Sequence, residues 1–197
     1  LDPEEGNRKK PQELSDIVAR GVIYAIHSGA DIINFSMGWP AAQDSEFMRD
    51  VIQEAQRRGI LIVAAAGNDS TKALIMPCGY PGVLCVGAHG PDGALSHFSN
   101  YGSGVDLAAP GLNILSTWPM AKRPVRFRAS SGYEFMHGTS QAAPIVSCLA
   151  GELLARGMGS DEAYSRLILG ARPHRAPLDL EEGSPHTLPP EPRPIDA

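Results

Sequence analysis

The chain has 197 residues, enough for one domain with a sizeable buried core. Its 43% apolar and 20% charged residues are ordinary for a soluble globular protein; no apolar run reaches the ~18 residues of a membrane span, and no signal-peptide pattern opens it. A formal charge of −5 without a basic stripe makes nucleic acid a poor partner, because Arg57-Arg58 and Lys122-Arg123 are short pairs of the kind found on solvated surfaces.

Residues 1–11, beginning "LDPEEGNRKK", are polar and read as a loop, and the chain starts at Leu1 rather than at Met. From Pro11 the pattern turns helical, with Leu14, Ile17, Val18, Val22, Ala25 and Ile26 at helical spacing and Ser28-Gly29 as the stop. "ADIINFSMG" predicts a buried strand over 31–37 that ends at Gly38. Beyond a Trp39-Pro40 loop, a second amphipathic helix carries Phe47, Met48, Val51, Ile52 and Ala55 on one face and Arg49, Asp50, Glu54 and Arg57 on the other. "GILIVAAAGN" and "GVLCVGA" predict two further buried strands, and the strands at 31–37 and 60–66 read as apolar on both faces. Helix, strand, helix, strand with short connections implies an α/β, three-layer, mainly parallel doubly wound sheet. In such sheets, function gathers beyond the carboxyl ends of the strands, here "SMG" (36–38) and "AAGN" (65–68).

After Gly90 the chain is rich in turns ("PDG", "SNYGSG", "AAPG"). Residues 140–156 predict a helix that is apolar almost all round and therefore central. Ser160 is expected to cap a last helix that runs to about Gly170. Residues 172–197 hold seven of the 17 prolines and no periodicity, as in a linker or disordered tail, which leaves 12–171 as the domain. Three cysteines, Cys78, Cys85 and Cys148, are too few for a disulfide framework, although one bridge is open to them. A zinc set of Cys78, Cys85, His89 and His97 matches no compact ligand spacing.

The stretch "MHGTSQAAP" (136–144) sets a serine directly after Gly-Thr at the head of the apolar helix. Ser140 has two readings: an N-cap satisfying a free backbone N–H, or a nucleophile at the positive end of a buried helix. In the second reading the N–H groups of the first turn would stabilise the oxyanion formed by its attack. Asn68, in the Gly-Asn turn at a strand's carboxyl end, is either a turn residue or a second oxyanion donor.

"GADIINFSMG", "GILIVAAAGND", "YPGVLCVGA", "FSNYGSGVDLAAPG" and "HGTSQAAP" together resemble, in order and spacing, the second half of a subtilase, a subtilisin-like serine peptidase. The resemblance covers about 12–170 and implies peptide-bond hydrolysis without a required redox or organic cofactor. It implies Ser140 as the acyl-enzyme nucleophile, and Asn68 with the Ser140 N–H as the oxyanion hole. It also implies Ser36-Met37-Gly38 and Ala65-Ala66-Gly67 as backbone edges beside a polypeptide substrate, with Thr139 among the substrate contacts. A cis peptide before Pro77 and a shallow pocket floored by Ile75, where relatives often have glycine, follow from the same likeness. So does a weak Ca2+ site at Asp106, with carbonyls near Cys78 and Val83, to be set against a purely structural aspartate. The family's habit of secretion suggests an extracellular or cell-envelope location.

The family presents its catalytic residues in the order Asp, His, Ser, and the D-[ST]-G and H-G-T-H motifs that carry the first two are missing from this chain. His137 precedes Gly-Thr-Ser and is expected to line the cleft edge rather than act as base. His27, His89, His97, His174 and His186 read as solvated or satisfied. The expectation is therefore an endopeptidase whose aspartate and histidine lie upstream of Leu1, the isolated chain being inactive. The competing class is a peptide-binding pseudoenzyme or regulatory fragment.

Overall fold

Alternating apolar and amphipathic segments build a four-stranded parallel sheet of Ile32–Phe35, Leu61–Ala65, Leu84–His89 and Leu107–Pro110, in that spatial order. A computed structural model describes residues 11–118 and 132–172. Its elements are α1 (Pro11–His27), β1 (Ile32–Phe35), α2 (Glu46–Arg57), β2 (Leu61–Ala65), β3 (Leu84–His89), β4 (Leu107–Pro110), β5 (Ile114–Thr117), β6 (Tyr133–Met136), α3 (Thr139–Ala155) and α4 (Ser160–Gly170). The polar opening before Pro11 and the proline-rich tail beyond Arg172 lie outside the described residues, as do His174 and His186.

Period-two alternation sorts β2 and β3 between two cores. Ile62, Ala64 and Cys85 join one core, with Val22 of α1 and Met48, Ile52 and Ala55 of α2. Leu61, Val63, Ala65, Leu84 and Val86 join the other, with Ala142, Ala143 and Val146 of α3 and Ala163 of α4. All five residues of β2 are buried, as a central parallel strand requires. This is the expected three-layer α/β arrangement.

Several expectations are corrected. The strand foreseen over 31–37 is only Ile32–Phe35, and it is not buried on both faces: Asn34 is exposed and Ile32 and Ile33 are half-buried. The reason is position, because among the described residues β1 pairs only with β2 and is the sheet's edge. Phe47 is 44% exposed although it was placed on the apolar face of α2, whose buried stripe is Met48, Val51, Ile52 and Ala55. Helix α3 buries one face, while Cys148 and Leu149 are exposed, since only the sheet and α4 cover it among the described residues. Ser160 is the first residue of α4 rather than its cap, which is Gly159. The turn-rich stretch after Gly90 contains β4, and an antiparallel pair, β5 and β6, follows it; short strands with little alternation leave no periodic mark.

Cys78 and Cys85 are joined by a disulfide, their Cα atoms 5.0 Å apart. The bridge that was left open therefore forms, and the zinc reading loses both of its sulfur ligands. Cys148 is free. The Met76-Pro77 peptide is cis, as the family likeness implied.

An exposed strand edge is prone to association, and so are exposed apolar residues such as Leu149. Covering roughly a few hundred Å2 of apolar surface, at ~25 cal/mol per Å2, is comparable to a net stability of ~5–15 kcal/mol. Residues 1–197 alone are therefore expected to aggregate or melt without a sharp near-UV circular dichroism transition. Joined to the upstream segment that the resemblance implies, they should melt cooperatively. A sharp transition of the monomeric chain alone would contradict this.

Candidate active site

Helix α3 opens on Gly138 at φ +150°, a conformation that favours glycine, so Thr139 and Ser140 form its first turn. Ser140 is therefore inside the helix, and the N-cap reading fails. Its hydroxyl donates instead to the Ser36 carbonyl at 3.1 Å. The Ser36 hydroxyl returns a bond to the Ser140 carbonyl at 2.8 Å. The reciprocity has a local cause. Pro144, four residues on, has no N–H to offer the Ser140 carbonyl, so that carbonyl needs a donor from outside the helix. Asn34 extends the chain of bonds, donating to the Ser36 hydroxyl at 2.9 Å and accepting from Ser147 at 3.0 Å.

Asn68 approaches from β2. Its side-chain oxygen accepts from the Thr139 N–H at 2.9 Å and the Thr139 hydroxyl at 3.0 Å. The Thr139 hydroxyl in turn accepts from the Gly67 N–H at 3.1 Å. With its oxygen turned inward, the amide offers its NH2 to the open side, where Asn68 is exposed. In the first turn of α3 the Thr139 N–H is taken by Asn68 and those of Gln141 and Ala142 reach the Gly138 carbonyl, so among the described residues the Ser140 N–H is the donor left for a ligand. A half-buried hydroxyl, an amide donor and a helix N-terminus thus share one end of the sheet. That end is the carboxyl side of β1 and β2, where a doubly wound sheet places its ligands.

The residues singled out as substrate contacts divide by exposure. Ser36, Met37 and Gly38 are exposed and form an open backbone edge. Ala65, Ala66 and Gly67 are buried. Their polar groups are partly spent: the Ala66 N–H donates to the Val86 carbonyl at 2.9 Å, and the Gly67 carbonyl accepts from the Asn100 N–H at 3.0 Å. Thr139, expected among the substrate contacts, is wholly buried and acts through Asn68 and Gly67.

Ile75 stands between the two edges. A Cβ built on Gly38 would collide with its Cδ1, and one on Gly67 would lie 3.2 Å from it. The loop carrying Ile75 is fastened by a bridge in which Trp39 and Met76 exchange backbone bonds of 2.9 and 2.8 Å. Asp44 fastens it further, accepting from the Trp39 indole at 3.2 Å and from the Tyr80 hydroxyl. Burial, and then that bond to Asp44, hold the Tyr80 phenol well above its usual range. Asp106 is engaged in the same manner: one oxygen accepts from the Cys85 N–H at 2.7 Å and the other from the Tyr164 hydroxyl at 3.3 Å.

His137 sits at the rim with Nδ1 accepting from the Asn113 N–H at 2.9 Å, so that nitrogen is occupied. His89 directs Nδ1 to the Gly90 carbonyl at 2.8 Å, and His97 packs edge-on against Phe98. Among the described residues the bonds of the Ser140 hydroxyl involve no histidine. Sequence reasoning missed Asn100, which is 1% exposed and braces the Asn68 turn. Its signals were its place in "SNYGSG", read there as a turn, and in the block "FSNYGSGVDLAAPG", from which no role was drawn for it.

These features set a hydroxyl, an amide and a helix N-terminus together at one end of a subtilisin-like α/β fold. The chain belongs to the subtilase (peptidase S8) family, whose model matches residues 7–175. It is 38% identical over 149 residues to the thermophilic serine proteinase of Bacillus sp. (strain AK1), covering 76% of this chain and 34% of that protein. It is 34% identical to the major intracellular serine protease of Bacillus subtilis (strain 168), covering 83% of this chain and 50% of the relative. The structure of the prenylagaramide maturation protease PagA superposes with a TM-score of 0.70 at 31% identity, over 81% of this chain and 58% of that one. The chain thus spans a third to a half of the length of these two curated relatives. An intracellular protease among them means that family membership alone does not set the compartment. Among the described residues no helix is long and apolar enough to cross a membrane.

Proposed function

We propose that this chain supplies the nucleophile and oxyanion hole of a serine endopeptidase whose aspartate and histidine lie in a segment upstream of Leu1. The observation that carries the reading is the Ser140 hydroxyl on the first turn of α3, beside an Asn68 amide locked by Thr139. Ser140 Oγ attacks the scissile carbonyl carbon and its proton passes to the upstream histidine. The Asn68 NH2 and the Ser140 N–H take the charge that develops on the carbonyl oxygen. Collapse breaks the C–N bond, the histidine returns the proton to the leaving amine, and water hydrolyses the acyl-enzyme by the same route. The substrate is a polypeptide lying as an added strand along the exposed 36–38 edge. No redox or organic cofactor enters these steps.

Without its base the Ser140 hydroxyl is a weak nucleophile, so the isolated chain is inactive. The test is casein hydrolysis by the complete protein against its Ser140→Ala variant, with residues 1–197 alone as a third sample. Equal activity of the variant would overturn the reading. Inactivity of the complete protein with retained peptide binding would favour a pseudoenzyme. The Cys78–Cys85 bridge fits an oxidising compartment and so supports export.

Ile75 suits a small acyl-side residue, because its side chain occupies the slot that a larger one would enter. Ile75→Gly is expected to raise kcat/KM for phenylalanine over alanine at that position by roughly 10–200-fold, the worth of a methylene or more of pocket space. Chromogenic peptides differing only in this residue provide the measurement. An unchanged ratio would mean that the side chain binds elsewhere.

A further inference from the structure

We propose that Asn100 is the positioning residue of the oxyanion hole, setting the backbone of Asn68 while Thr139 sets its side chain. This rests on the proposed role of Asn68.

Residues 66–71 leave the sheet abruptly. Gly67 has φ +105° and Ser70 φ +55°, and the backbone groups of such a turn have no ladder partners. Asn100 bonds four of these groups, three of them through one buried side chain. Its Nδ2 donates to the Ala66 carbonyl at 2.9 Å. Its Oδ1 accepts from the Asp69 N–H at 2.9 Å and the Thr71 N–H at 3.3 Å. Its own N–H donates to the Gly67 carbonyl at 3.0 Å. Asn68 is thereby held on both flanks, and at 1% exposure for Asn100 these bonds face little competition from water.

No other side chain of similar size can replace this set. The site needs a donor and a double acceptor on separate atoms of a short planar group, as an amide has; an ionised carboxylate has no donor, and a hydroxyl holds both on one atom. The fit also constrains the neighbour: a Cβ on Gly67 would collide with the Asn100 amide, so asparagine held at this place requires glycine at 67. An oxyanion donor acts only when aimed at the place where charge develops, and a displacement of ~1 Å costs ~10²-fold in rate. Asn100 itself touches no substrate.

The experiment is a double-mutant cycle of Asn100→Ala and Asn68→Ala in the complete protein, read as kcat and KM with a peptide substrate. Asn100→Ala should lower kcat by ~10²-fold with KM within about twofold, and add little once Asn68 is already alanine. A loss that is undiminished in the Asn68→Ala background, or a kcat that does not fall, overturns the proposal. If Asn100→Ala does not fold, Asn100→Asp serves in the same cycle, since it keeps the acceptor and loses the donor to Ala66. If the wild type is inactive, the reading of Ser140 fails separately. The proposal is then decided by a crystal structure of the Asn100→Ala variant, and an Asn68 that stays within ~0.5 Å of its place refutes it.

Discussion

Replacing Ser140 by alanine in the complete protein is expected to lower kcat by roughly 10⁶-fold while leaving the fold intact. That figure comes from subtilisin, a member of this same family, in which removing the serine alone costs about 2 × 10⁶ in kcat. The chemical reason is that alanine offers no atom to form the acyl-enzyme, so only water attack within the oxyanion hole remains. The fold should survive because the hydroxyl makes a single 3.1 Å bond, to the Ser36 carbonyl. A neutral hydrogen bond of this kind contributes ~0.5–1.5 kcal/mol. The bond that ties α3 to β1 through the Ser140 carbonyl uses the backbone and is untouched by the substitution. Steady-state hydrolysis and thermal melting of the two proteins give both numbers. A variant that keeps even a tenth of the activity would exclude Ser140 as the nucleophile.

Asn68→Ala has the next largest effect: kcat falls by ~10²–10³ with KM nearly unchanged, again a magnitude known from subtilisin itself. The split follows from the proposed role, in which the Asn68 NH2 meets charge that exists only after attack. Alanine also strips Thr139 of its acceptor, so some loss of stability accompanies the loss of rate. Asn68→Asp separates the two effects. It keeps an oxygen for Thr139 but presents a negative charge where the oxyanion forms, so it should be at least as slow while melting closer to the wild type. An Asn68→Ala enzyme with unchanged kcat would reduce Asn68 to a turn residue.

Much of the site was legible because it lies at the ends of strongly patterned segments. The run Leu61–Ala65 could only be a central strand, so the Gly67-Asn68 turn had to fall at its carboxyl end. The apolar run after Ser140 had to be a helix, so Ser140 had to lie near a positive terminus. Which turn position Ser140 takes was not legible. Ser140 and Gly138 are both acceptable caps, and only the φ of Gly138 and the bonds to Asn68 select between them. Burial of 31–37 was over-read for a related reason, since an apolar sequence reports what a strand can bury and not whether a neighbour covers it.

The sequence by itself determined the layered α/β class, the family and the identity of the paired candidates Ser140 and Asn68, because periodicity and ordered motifs are local properties of the chain. Only the tertiary structure decided how those residues are held. The Ser36–Ser140 exchange joins positions 104 residues apart, and Thr139 reaches Asn68 across 71. The Cys78–Cys85 bridge and the Asn100 brace likewise depend on which backbone groups the fold leaves without partners. A hydrogen bond of that kind is set by the distance between elements after packing, and no spacing along the chain encodes it.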